Sequence, residues 1–372
     1  MPGLEDILRR HSVVICAGSG GVGKTTTAAS LAVYAALSGK RTMVMTIDPA
    51  KRLANALGVR TLGGISSAVT VEEVPQGMLS AMMLDQKGAW DELVDRHAPS
   101  PEIRDRILNN RFYQHLSQSF AGSQEYMAID QLAELYASGL YDVIVVDTPP
   151  TRHALDFLEA PQRLADFLDR RVMKWFVRPY FSAGWATMRF VSRTAGFLFR
   201  RLEDATGISV LVEVSDFFTS MSGLFEEFEP RVRRVYELLR SPHTAFVLIA
   251  TPEEQVLREA EYFFHKVREL DMSLRAVVFN RTHREMLAGR RRVESQEVTT
   301  LLRRLVGNVP AAGMIAENFQ RYEMLGRGDG LRIEAFRRLL SKGVSVAEVP
   351  NFTSDIHSVA DLRTMHPFLF AA

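Results

Sequence analysis

Short apolar runs separated by longer polar, helix-favouring stretches set the reading of this chain. Val13 to Ala17, Thr42 to Ile47, Leu79 to Asp85, Tyr141 to Asp147, Thr244 to Ala250, Arg275 to Phe279 and Val344 to Val349 are rich in Val, Ile, Leu, Met and Phe. The buried runs are continuous rather than alternating, as in strands covered on both faces. Helical patterns lie between them: Ala-rich Thr26 to Leu37, amphipathic Gln86 to Asn110, Phe112 to Ala137 with a break at Phe120-Ala121-Gly122-Ser123, Pro161 to Leu239, and residues 284 to 342. Thr251-Pro252-Glu253-Glu254 opens a further helix, because proline and early acids are start signals. A last helix follows Pro350 and runs to about Thr364. Strands alternating with helices predict an α/β fold with a doubly wound, mostly parallel sheet.

Composition narrows the partners. The 372 residues suffice for one large α/β domain or two smaller ones, and 47% hydrophobic content suffices for a packed core. The formal net charge is +1, so bulk electrostatics favours no nucleic-acid partner. A single cysteine, Cys16, excludes an intrachain disulfide and any CxxC zinc pair. The start of the chain has acidic residues and no apolar segment of signal-peptide type. Val172 to Phe199 is apolar but is broken by Lys174, Arg178, Arg189 and Arg193, so no membrane span is expected. The expectation is a soluble cytoplasmic protein. The Arg290-Arg291-Arg292 run reads as a solvated face.

The chemistry concentrates where the first strand meets the first long helix. Gly18-Ser19-Gly20-Gly21-Val22-Gly23-Lys24-Thr25 fits G-x-x-x-x-G-K-[ST], with a strand before it and a helix after it. Glycines let backbone N–H groups approach an anion, and the helix start near Lys24 adds its positive dipole end. Lys24 then reaches the β- and γ-phosphates, and Thr25 offers a hydroxyl to Mg²⁺. The bland alternative is a glycine-rich turn. Asp48, at the end of the second strand, is either a carboxylate on the nucleotide rim or the cap of the helix after Pro49; both roles are compatible. Asp147, at the end of the clearest buried strand, stands where a carboxylate orients Mg²⁺ or its waters. Residues 161–239 carry Trp175, Phe176, Trp185, Met188, Phe197 and Phe225 among many aromatic and Met side chains, which reads as subdomain core plus dimer surface or as a groove for an apolar client.

These motifs together resemble the P-loop ATPases with a deviant Walker motif that include the arsenite-pump (anion-transporting) ATPases and the tail-anchored-protein targeting ATPases. Gly20, Gly21, Val22, Gly23, Lys24, Thr25 and Thr26 look like the family P-loop. Thr46-Ile47-Asp48-Pro49-Ala50 looks like switch I, and Asp147-Thr148-Pro149-Pro150-Thr151-Arg152-His153 looks like switch II. Asn280 takes the place of the family's adenine-reading residue at a strand end, and Val349-Pro350 that of its adenine-side loop. The resemblance implies one P-loop ATPase domain over residues 1–372, with helical subdomain insertions at 86–137 and 161–240. It implies ATP and Mg²⁺ as ligands, Asp48 as the residue that positions or deprotonates the attacking water, and a dimer that sandwiches ATP.

Three departures follow from the same comparison. The family's signature lysine belongs at position 19, where this chain has Ser19. Losing such a trans cation costs on the order of 10³-fold in rate. The zinc-binding CxxC pair and the arsenite-binding cysteines are absent, so neither zinc nor arsenite is expected. The missing lysine leaves a heterodimer with a lysine-bearing paralogue, which the likeness to bacterial members favours, or a homodimer in which Arg152 of switch II substitutes; the plainer role of Arg152, and the one preferred here, is a surface or switch-stabilising ion pair. The corresponding functions are an ATPase that couples nucleotide state through switch II to a hydrophobic client, or a weakly hydrolytic regulatory subunit.

Overall fold

The computed structural model describes residues 3–47, 52–59, 62, 67–68, 74–111, 113–114, 117, 123–150, 217, 230, 233–287, 295–306 and 311–370. Asp48, Arg152, Arg290 to Arg292 and most of the aromatic-rich stretch 161–240 lie outside them.

Eight strands form one sheet: β1 Val13–Gly18, β2 Thr42–Thr46, β3 Ser67–Ala68, β4 Leu79–Met83, β5 Val143–Asp147, β6 Thr244–Ala250, β7 Leu274–Thr282 and β8 Ser345–Pro350. Their order is β3-β4-β2-β5-β1-β6-β7-β8. β1 pairs parallel with β5 and β6, β2 with β5, β6 with β7 and β7 with β8, and the short β3 is antiparallel to its neighbour β4. Every residue of β1, β2, β5 and β6 is buried, as the continuous apolar runs predict.

The described helices are α1 Leu4–Arg10, α2 Lys24–Leu37, α3 Arg52–Ala56, α4 Gln86–His97, α5 Pro101–Leu108, α6 Ser123–Ser138, α7 Glu254–Glu269, α8 Ser295–Val306, α9 Ala311–Arg337, α10 Val359–Thr364 and α11 His366–Leu369. Among the described residues none is long and apolar enough to cross a membrane. The Ala-rich sequence of α2 has a packing cause: Ala28, Ala29, Leu31, Ala32, Val33, Ala35 and Ala36 are all buried. They join Leu4, Ile7, Val14, Val44, Val145, Ile249 and Leu362 in one core. Small side chains let the helix lie close to the sheet and still be covered on its other side.

The chain divides into two compact units. One comprises Met1–Met82, Tyr141–Ala154 and Arg240–Ala372, the other Met83–Leu140 and Leu155–Leu239. Within the second, the expected helix Gln86 to Asn110 is two helices. Pro99 cannot continue α4, and Ser100 caps α5, its Oγ accepting from Ile103 N at 3.4 Å with Pro101 in the first turn. Trp90, Val94, Ile107, Tyr113 and Leu132 are buried there, and Tyr113 donates to Asp91 at 2.8 Å.

Other differences are local. α1, β3 and α11 carry no pattern long enough to read. β7 continues past Phe279 to Thr282, so Asn280 lies inside the strand and not at its end. Arg281 takes φ +56° there, where the pairing register with β8 shifts.

Candidate active site

Parallel strands end at one rim, and their register decides which residues meet. Cys16 and Thr46 lie level with Asp147 on the two sides of β5, and Gly18 lies level with Ile249. The order places β1 between β5 and β6, where the chain switches from building one half of the sheet to the other. Ligands of doubly wound folds bind at this position.

From β1 the chain turns through Ser19 to Gly23 into α2. Two glycines are sterically required. A Cβ on Gly18 would lie 2.1 Å from Ile249 O, and one on Gly23, where φ is +91°, would lie 2.2 Å from Asn280 Nδ2. The loop thereby keeps its backbone bare and concave at the N-terminus of a 14-residue helix, which is anion-binding geometry. Lys24 is 8% exposed, and its Nζ donates to Ser19 O at 2.8 Å, bridging the two ends of the loop.

Thr25 Oγ1 donates to Asp147 Oδ2 at 2.7 Å, and Thr46 Oγ1 donates to the same oxygen at 2.9 Å. Thr148 Oγ1 donates to Cys16 O at 2.9 Å and ties the segment after Asp147 to β1. The Cys16 thiol is pushed well above its ordinary range, chiefly by burial and then by the Asp147 charge, with Lys24 opposing. A hydroxyl and a carboxylate in contact beside a buried ammonium are the donors that Mg²⁺ with a phosphate ligand takes. These residues fit a nucleotide and its metal.

On the other side of the loop, Asn280 Nδ2 donates to Val22 O at 2.8 Å and the residue is 7% exposed. An open cavity of about 630 Å³ begins at Gly23 and Thr26 and continues past Thr251, Asn280, His283 and Pro350. Its walls come from three adjacent strand ends, since Ala250 lies level with Phe279, and Thr282 with Pro350. The volume is that of a small-molecule site. Gly20, Gly21, Val22, Gly23, Lys24, Thr25, Thr26 and Asp147 gather at the rim; Asn280 and Pro350 line its cavity side.

Two features escape sequence reasoning. Ser19, 6% exposed, donates its hydroxyl to Glu259 of α7 at 2.7 Å. Glu259 is 240 residues away and sits in an ordinary amphipathic helix, so no local signal marks it. In the cavity wall, Asp329 of α9 holds both His283 and Arg332. That trio is assembled only by docking α9 beside β7.

The comparisons agree with this geometry. The family described as anion-transporting ATPase matches residues 11–301. The ATPase GET3 of Malassezia globosa is 28% identical over 286 residues, 75% of this chain and 76% of that protein. The ATPase GET3 of Phaeosphaeria nodorum is 26% identical over 291 residues, 75% and 79% of the two chains. The ATPase get3 of Aspergillus terreus is 32% identical over 169 residues, 43% and 46%. A glycine loop, a lysine, and a threonine–aspartate pair at the switch point of a parallel sheet thus come with a family match over most of the chain: this protein belongs to the anion-transporting ATPase family, and it is an ATPase.

Proposed function

We propose that the chain hydrolyses ATP with Mg²⁺ at the Gly18–Thr25 loop and uses the nucleotide state to govern binding of a hydrophobic client. The contact of Thr25 Oγ1 with Asp147 Oδ2 at 2.7 Å, beside buried Lys24, carries this reading. When bound, Mg²⁺ supplies charge neutralisation to the phosphate oxygens. Thr25 and Asp147 hold it. Lys24 and the amides of Gly20 to Thr26 bind the phosphates, and Lys24 opposes the charge that grows on them as the terminal bond breaks. Asp48 orients the attacking water and accepts its proton. Asn280 and Pro350 hold the adenine. Thr148, tied to Cys16, begins the segment that carries the loss of the γ-phosphate toward residues 161–240.

The likeness to tail-anchored-protein targeting ATPases supports a dimer acting in the cytoplasm, with the aromatic-rich residues 161–240 receiving an apolar segment. Steady-state ATP turnover of the purified chain, beside Lys24→Ala and Asp48→Asn, tests the hydrolytic reading. Turnover lost in both variants is expected, and turnover equal in all three overturns it. Binding of a labelled apolar tail peptide in the ATP and ADP states tests the client, and equal affinity in both states refutes the coupling.

One observation favours a second reading. Position 19 carries a neutral side chain already engaged by Glu259, so it supplies no cation to a partner's phosphates. The chain is then the slow half of a pair with a lysine-bearing paralogue. Co-purification with such a paralogue, and turnover that rises on mixing, would support it. Full turnover by the lone chain excludes it.

A further inference from the structure

The wall of the cavity beyond Asn280 includes a second polar group. His283 follows β7 and lines the cavity together with Asn280, Thr251 and Asp329. Its Nδ1 lies 2.8 Å from Asp329 Oδ2, and its backbone N–H donates to the same oxygen at 2.9 Å. Asp329 is only 5% exposed, and its other oxygen accepts from Arg332 Nη2 at 2.9 Å. Arg332 is itself anchored by Nε donating to Pro252 O at 2.6 Å. The Tyr322 ring meets the imidazole edge-on at 5.5 Å.

This arrangement determines the chemistry of the free edge. A carboxylate paired with arginine is an acceptor only, so Nδ1 must carry the hydrogen in the His283–Asp329 contact. In the neutral ring Nε2 is then an acceptor, and among the described residues it has no hydrogen-bond partner. Asn280 repeats the pattern. Its Nδ2 is committed to Val22 O, which leaves Oδ1 as an acceptor at a 93%-buried position. Two residues, three apart in sequence and each with an acceptor not committed elsewhere, therefore line one cavity that begins at Gly23 and Thr26.

We propose that His283 is a specificity-determining residue, its Nε2 accepting from the 6-amino group of the bound purine alongside Asn280 Oδ1. This rests on the reading of the cavity as the base side of an ATP site. A 6-amino purine donates two hydrogens and satisfies both acceptors. A 6-oxo purine places a third acceptor against them and leaves each without a donor, which is discrimination by repulsion as well as by attraction. The Asp329–Arg332 pair acts through His283 by holding its tautomer, so both are positioning residues.

The test compares equilibrium binding of ATP, inosine triphosphate and 2′-deoxy-ATP to the full chain and to His283→Leu and Asp329→Asn, with melting temperatures recorded for each. Inosine triphosphate differs from ATP by the 6-oxo group, and deoxy-ATP by a ribose hydroxyl. The wild-type chain is expected to prefer ATP over inosine triphosphate. His283→Leu should cut that preference about tenfold, as expected for one hydrogen bond with a desolvated partner, and leave the ATP to deoxy-ATP ratio unchanged. Asp329→Asn can donate to Nδ1 and shift the hydrogen to Nε2, so it should lower the same preference with His283 still in place. An unchanged preference in His283→Leu overturns the proposal, as does a change confined to the deoxy-ATP ratio. Failure of the wild-type chain to bind ATP at all would sink the underlying nucleotide reading instead, and the two outcomes are distinct.

Discussion

Substituting alanine along the glycine loop separates two reasons for glycine that the motif combines. At Gly18 the motif calls for phosphate approach, but the structure shows a strand-packing requirement. The added Cβ would sit 2.1 Å from Ile249 O, 3.1 Å from Ile249 C and 3.1 Å from Val22 Cγ2. Two of those atoms are backbone of β6, fixed by the parallel ladder that pairs Gly18 with Ile249. Relief means separating two central strands that are buried at every position. Overpacking that moves backbone costs about 2–3 kcal/mol, or a melting temperature lower by about 4–12 °C for a unit of this size. At Gly20 the nearest atom to a new Cβ is Pro150 Cβ at 3.9 Å, which is ordinary contact. Gly20→Ala should melt within about 2 °C of wild type, inside the range of ordinary surface changes. Gly23→Ala combines φ of +91° with a 2.2 Å approach to Asn280 Nδ2, a side-chain atom that can move only by giving up Val22 O. It should cost about 1–2 kcal/mol in backbone strain alone and weaken nucleotide binding as well. The assay is thermal unfolding followed by circular dichroism without nucleotide, with ATP binding measured separately. If Gly18→Ala melts like Gly20→Ala, the strand-packing account is wrong and the phosphate account of that glycine stands.

Three further outcomes are expected. Asp147→Asn removes the charge that Thr25 and Thr46 both hydrogen-bond, so ATP turnover titrated against Mg²⁺ should fall on the order of 10²-fold; unchanged Mg²⁺ dependence would contradict the metal role. Ser19→Lys exchanges a neutral partner of Glu259 for a cation, and steady-state turnover should rise at least about tenfold if the missing trans charge limits the rate; no rise would remove that explanation. His366 packs edge-on against Tyr34 at 5.3 Å and Phe370 at 5.4 Å, and burial holds its pKa below the ordinary 6.5, as it does for His11. The unfolded chain therefore takes up these protons first, so stability should fall as pH drops below 6.5 and be insensitive to them above it. Denaturant unfolding at pH 7.5 and 5.5 should show a smaller acid loss in His366→Phe; an equal loss would rule out His366 as a source of the slope.

Much of the fold could be read because burial on both faces leaves a continuous apolar mark. Thr244 to Ala250 coincides with β6, and the other central strands agree within a few residues. Elements whose cause is tertiary were not readable. β3 has two residues and exists as a partner for β4, and α11 is a single turn whose His366 packs edge-on against the Tyr34 ring. β7 extends to Thr282 because β8 offers it a partner as far as Pro350, which no local pattern around Asn280 announces.

The site divides along the same line. The spacing of Gly18, Gly23, Lys24 and Thr25 depends on chain geometry, because loop, lysine and hydroxyl must follow one another from strand to helix, and so the sequence alone determined it. The strand-final position of Asp147 was equally local. The contact between Thr25 and Asp147 was decided by the register of β1 on β5, and the Ser19–Glu259 bond by where α7 docks. The hydrogen on His283 Nδ1 was decided by a carboxylate 46 positions further along the chain. A hydrogen bond needs its two atoms within about 3 Å of each other, and for residues this far apart only the packed sheet and helices bring them that close.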